Sequence, residues 1–119
     1  MRAEFLTKGF QKTESMDDFM QKTTLDLVDT FLKNEKDIHL RVAVDEDRHR
    51  FESRKPHFTC EIQIKTAASK KYLKTHRSSS DFRTAVYEAA HAMRRILHDR
   101  SDLRHQRKVL SRKMKTLAA

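Results

Sequence analysis

The chain holds one cysteine, one proline, one glycine and no tryptophan. With Cys60 alone, no intrachain disulfide can form, which fits a reducing, cytoplasmic setting. So little glycine and proline argues against long flexible linkers. There is no HExxH helix, no paired Cys/His spacing and no Gly-rich phosphate loop, so no catalytic residue, metal, cofactor or small-molecule substrate is expected. The seven histidines are dispersed; His91 and His98 share a helix face but stand two turns apart, too far for one ion. No apolar run approaches the roughly 20 residues that span a bilayer. Glu4 and Lys8 interrupt any apolar stretch near the N-terminus, so neither a membrane anchor nor a signal peptide is expected.

What the chain does have is charge. Its 119 residues carry 26 Lys and Arg against 17 Asp and Glu, a net +9. That length suits one domain with one core. A small protein this positive suits an anionic partner, nucleic acid ahead of membrane.

The patterning predicts a β-α-β-β-β-α order. Residues 2–8 alternate loosely, with Ala3, Phe5 and Thr7 on one side, and Gly9 marks a turn. A helix opens at Thr13-Glu14-Ser15, with Ser15 as the cap and Asp17 and Asp18 at the positive end of the dipole. Its apolar face holds Met16, Phe19, Met20, Thr23, Leu27 and Phe31, while Leu25 and Leu32 fall nearly opposite. Its polar face carries four aspartates against two lysines, and Asn34–Asp37 ends it. Ile38–Val44 and Phe58–Lys65 alternate cleanly, as strands with one buried face do, and place Cys60 in the core. The charged run Asp45–Lys55 between them reads as a hairpin loop with Phe51 its only large apolar residue. Lys70–Arg77 reads as a lysine-guarded edge strand. Ser78–Ser80 then offers N-caps for a helix over Asp81–Arg100, whose apolar stripe is Phe82, Ala85, Val86, Ala89, Met93, Ile96 and Leu97. The expected fold is α+β: a two-layer sandwich of a four-stranded sheet with two helices on one face. Residues 1–100 form its body, and 101–119 a basic helical extension or disordered tail.

Positive charge gathers late in the chain. Lys65 to Arg77 holds five cations and no acid, and Arg94 to Lys115 holds nine cations against Asp99 and Asp102. The short Ser78–Ser80 connection makes the fourth strand and second helix neighbours, so their cations should form one phosphate-binding surface. The candidate RNA-binding residues are Lys70, Lys71, Lys74 and Arg77 on the strand, then Arg83, Tyr87, His91, Arg94, Arg95, His98, Arg100 and Arg104 on the helix. Tyr72, Tyr87 and the histidines add rings able to stack on bases or riboses.

The segments TESMDDF and SSSDFRTAVYEAAHAMRRIL, in this element order, resemble the bacterial ribosome hibernation-promoting factor and ribosome-associated inhibitor family. The resemblance covers about residues 3–105. It is carried by Thr13-Glu14 with Met16 and Phe19, by Asp81-Phe82 with Ala85 and Val86, and by Met93, Arg95 and Leu97. It implies a stress-stage, short-form factor that occupies the small-subunit channel for mRNA and tRNA. Carried over by position, Lys70, Lys71, Lys74, Arg83, Arg94, Arg95 and Arg100 would meet 16S rRNA phosphates. The chain departs from the family pattern in its acidic first helix, in Arg83 where an aromatic is usual, and in Asp99 and Asp102 near a normally lysine-rich end; the long form's dimerisation domain is not expected. Two other classes fit the composition: a general structured-RNA binder, and a protein-interaction module held by its basic tail.

Overall fold

The computed structural model describes residues 1–47, 57–67 and 71–118, with side chains at 1–46, 57–67 and 71–100. The expected loop residue Phe51 and the strand start Lys70 lie outside the described residues. The order is β1 (Arg2–Lys8), α1 (Glu14–Phe31), β2 (His39–Asp47), β3 (His57–Lys65), β4 (Leu73–Ser79) and α2 (Phe82–Ala118). The sheet runs β1-β2-β3-β4, with β1 parallel to β2 and the other pairs antiparallel. The parallel pair requires a crossover, and α1 supplies it. Both helices lie on one face, α2 packed against β3, β4 and α1.

Alternation in β2 and β3 fixes the buried side. Leu40, Val42 and Val44 stand opposite Ile64, Ile62 and Cys60, and all six are buried. A one-residue slip would put every one of them in water, so the register is strongly specified. From above, Met20, Leu27 and Val28 of α1 and Phe82, Ala85, Val86, Ala89, Met93 and Leu97 of α2 close the core. Leu32, anomalous on a helical wheel, is the C-cap of α1 and is buried; Leu25 packs at the core's margin. Small Ala85 and Ala89 allow α2 a close approach, and the Thr75 hydroxyl donates to the Ala89 carbonyl at 3.1 Å, tying β4 to the helix. Phe10, Phe58 and Phe82 meet edge-on at 5.3–6.0 Å and seal one end.

The caps differ from expectation. Thr13, not Ser15, caps α1: its hydroxyl accepts from the Met16 amide at 3.2 Å while the Met16 thioether accepts from the Thr13 amide at 3.4 Å. This is a capping box with sulfur where Glu is usual. Asp81, not a serine, caps α2, its carboxylate accepting from the Thr84 amide at 3.0 Å and the Thr84 hydroxyl at 2.9 Å. These bonds, the backbone one foremost, hold the Asp81 carboxyl below its usual range. The serines are used elsewhere, since β4 begins later and ends later than the expected 70–77 and pairs Ser78 and Ser79 with Thr59 and Phe58. Likewise β2 extends to Asp47, beyond the expected Val44. Gly9 turns the chain at φ +87°, its α-carbon close against the Glu46 carbonyl. No helix among the described residues is long and apolar enough to cross a membrane.

Candidate nucleic-acid interface

The charged face of α2 divides into two flanks. On the flank toward α1, Arg83 donates to the Ser15 hydroxyl at 2.7 Å and its guanidinium lies 5.3 Å from the Phe19 ring centre. Arg94 donates to the Asp26 carboxylate at 2.8 Å. Arg100 stands 3.7 Å from the Glu35 carboxylate, and His98 meets Phe31 edge-on at 6.5 Å. These contacts join α2 to α1 and, through Glu35, to the segment that follows α1. They also give the acidity of α1 a local role, because Asp26 neutralises a cation of its neighbour. The helix residues expected to share one phosphate-binding surface, Arg83 through His98, therefore do not form one free surface.

The other flank faces β4 across an open groove of about 650 Å³. The register turns Thr75 and Arg77 toward the helix layer, opposite Ile62 and Cys60, and Lys74 and His76 toward the outer face, opposite Gln63 and Glu61. Because β4 is an edge strand, all four line the groove, and Tyr87, His91 and Arg95 of α2 form the other wall. Lys74, Arg77 and Arg95 supply three cations there, against the carboxylates of Glu88 and Asp99. Arg95 is exposed and has no ion-pair partner among the described residues. Arg77 donates to the neighbouring His76 carbonyl at 2.7 Å, which leaves most of its donors available. Lys74 is shared with Glu61 at 3.1 Å. The Gln63 amide, first, and Lys74 hold the Glu61 carboxyl below its usual range.

Of the expected residues, the structure brings together Lys74, Arg77, Tyr87, His91 and Arg95. It turns Arg83, Arg94 and His98 to α1, and Arg100 to Glu35 just past the end of α1. Lys71 is exposed just ahead of β4. Lys70 and the Arg104 side chain lie outside the described set. The sequence reading missed His76; its place one residue before Arg77 on an edge strand was the available signal. It also missed Lys22, which with Thr23, Asp26 and Arg94 lines a second groove of about 660 Å³ between the helices.

The outer sheet face is knit rather than free. Tyr72 shares a hydrogen bond with His39 Nδ1 at 3.1 Å, and Lys65 lies 5.4 Å from the Tyr72 ring centre. Cys60 is buried, and desolvation pushes its thiol up to about 12, so it is a core side chain rather than a nucleophile.

Fold and groove together define a class: a small basic α+β sandwich with cations gathered between an edge strand and the long second helix. By the match of residues 4–105 to its family model, the chain belongs to the family described as sigma 54 modulation protein / S30EA ribosomal protein. Among solved structures it resembles the Protein Y N-terminal domain of Thermus thermophilus, at 14% identity and a TM-score of 0.57, covering 82% of this chain and 96% of that one. It also resembles a ribosomal subunit interface protein from Coxiella burnetii, at 11% identity and a TM-score of 0.67, covering 86% and 99%. At these identities the two structures bear on the fold alone. No curated protein sequence matches the chain.

Proposed function

We propose that this protein is a non-catalytic, cytoplasmic ribosome-associated factor that silences translation by occupancy. It sits in the mRNA and tRNA channel of the small subunit, with the β4–α2 groove on phosphates of 16S rRNA. The observation that carries this reading is the convergence of Lys74, Arg77 and Arg95 on one open groove, in a chain of a family whose description names a ribosomal protein. Arginine offers phosphate a planar fork and lysine a mobile point charge, so such a wall binds a polyanion without reading base sequence. Nothing has to be transformed: a folded domain of this size in the channel excludes its normal occupants. Phosphate contacts make affinity fall steeply with salt.

The test is sedimentation of the intact protein with purified 30S and 70S particles. Co-sedimentation at low salt, released at high salt and retained against excess structured competitor RNA, is the expected result. Protein left at the top of the gradient at low salt would end the ribosome reading. Release by equimolar unrelated RNA would replace it with a general RNA binder.

A further inference from the structure

Tyr87 is 61% exposed, more than any other large apolar side chain of the described residues except the terminal Met1. The two other exposed large apolar residues, Leu6 and Tyr72, belong to β1 and to the segment leading into β4, and Tyr72 is held by His39 and Lys65. Tyr87 has no hydrogen-bond partner for its hydroxyl among the described residues, and it covers little of the core. Its one ring neighbour among the described residues is His91, one turn further along α2, with the two planes 11° apart and centroids at 6.2 Å. This pair forms a ridge bordering both grooves, since each is lined by Tyr87 and His91. Arg77 and Arg95 lie down one side and Lys22 down the other.

Charge alone would bind a polyanion, and gains nothing from an aromatic ring held in water. Two near-parallel, solvated rings with cations in the groove on either side suit an unpaired base that stacks there while its phosphates run through the flanking grooves. A duplex cannot use it, because its bases are already stacked on one another. We propose that the Tyr87–His91 ridge is a stacking site for one unpaired RNA base, so that the protein prefers single-stranded segments to helices of equal charge. This inference rests on the RNA-binding reading of the groove and narrows it.

The chain has no tryptophan and only two tyrosines, so Tyr72→Phe leaves Tyr87 as the sole tyrosine fluorophore. That variant of the full chain is titrated with a single-stranded adenine oligoribonucleotide, an RNA duplex and inorganic polyphosphate, its fold checked by circular dichroism. The single strand quenches Tyr87 emission and polyphosphate does not. In the otherwise native chain, Tyr87→Leu weakens the single strand by at least about fivefold, the low end of a base–aromatic stack, and leaves polyphosphate unchanged; Tyr87→Trp keeps the single-strand affinity. Single strand bound without quenching, or with Tyr87→Leu harmless, overturns the ridge while the phosphate groove stands. Failure of all three polyanions to bind overturns the groove and the ridge together.

Discussion

Removing Asp26 should strengthen RNA binding. The Asp26–Arg94 pair is solvated, its side chains 60% and 48% exposed, and such surface pairs contribute about 0.2–1 kcal/mol. Arg94 must break this pair before it can serve a phosphate, which at the upper figure costs about fivefold in affinity. Asp26→Ala therefore gains up to about fivefold and adds one phosphate contact, steepening the salt slope by about 0.7 for a single strand. Arg95 has no such partner, so Arg95→Ala loses a contact outright and flattens the slope by about 0.7. Arg94→Ala changes the slope little. With Arg77 and Arg95 engaged and Lys74 held by Glu61 as Arg94 is by Asp26, raising salt from about 50 to about 200 mM weakens the wild type by about sevenfold, and the Arg95→Ala protein by about 2.6-fold. Fluorescence anisotropy of a labelled RNA oligonucleotide across a salt series reads all three. Equal losses from Arg94→Ala and Arg95→Ala, or weaker binding after Asp26→Ala, would refute the assignment of the two flanks.

Three further predictions concern the fold. Gly9→Ala combines a left-handed backbone with a β-carbon driven into the Glu46 carbonyl; it should cost about 2 kcal/mol or more and lower the calorimetric Tm by at least about 8 °C. Unchanged melting would show that the turn does not make this close approach. Cys60 should resist thiol reagents in the native protein near neutral pH and react only as fast as the protein opens, because its thiol is pushed up to about 12; rapid native labelling would contradict its burial. Asp81 and Asp17 have folded pKa values below their unfolded ones, Asp81 through the Thr84 bonds and Asp17 first through its bond to Lys12. Their stabilising effect is present above the ordinary carboxylate range and fades as pH falls through the depressed folded values. Asp81→Ala should thus lower the neutral-pH Tm and flatten the acid limb of a Tm–pH profile; an acid limb as steep as wild type would remove Asp81 as the cap.

The strands and core were legible because their signal is local. Leu40, Val42, Ile62 and Ile64 alternate with polar neighbours, and one period decides which side is buried. The caps were half legible. Thr13 and Ser15 are equally good cap types, and a Met16 thioether closing the box has no sequence signature. Ser78 and Ser79 look like caps until β3 is placed beside them, because ladder pairing is a long-range fact. The interface was least legible. Arg83 and Arg94 are tied to Ser15 and Asp26, each 68 residues earlier, and no helical wheel shows which flank another helix will cover. Arg77 and Arg95, indistinguishable from them in sequence, are free for a ligand only because β4 is an edge.

Whether the β4–α2 groove holds the small subunit is decided by gradient sedimentation of the Arg77→Glu, Arg95→Glu double variant with 30S particles. Both side chains are exposed, so the fold should survive, as circular dichroism and Tm will show. Wild type should travel with the 30S peak at low salt, and the folded double variant should stay at the top of the gradient. A folded double variant that still travels with the 30S peak would contradict the groove's role.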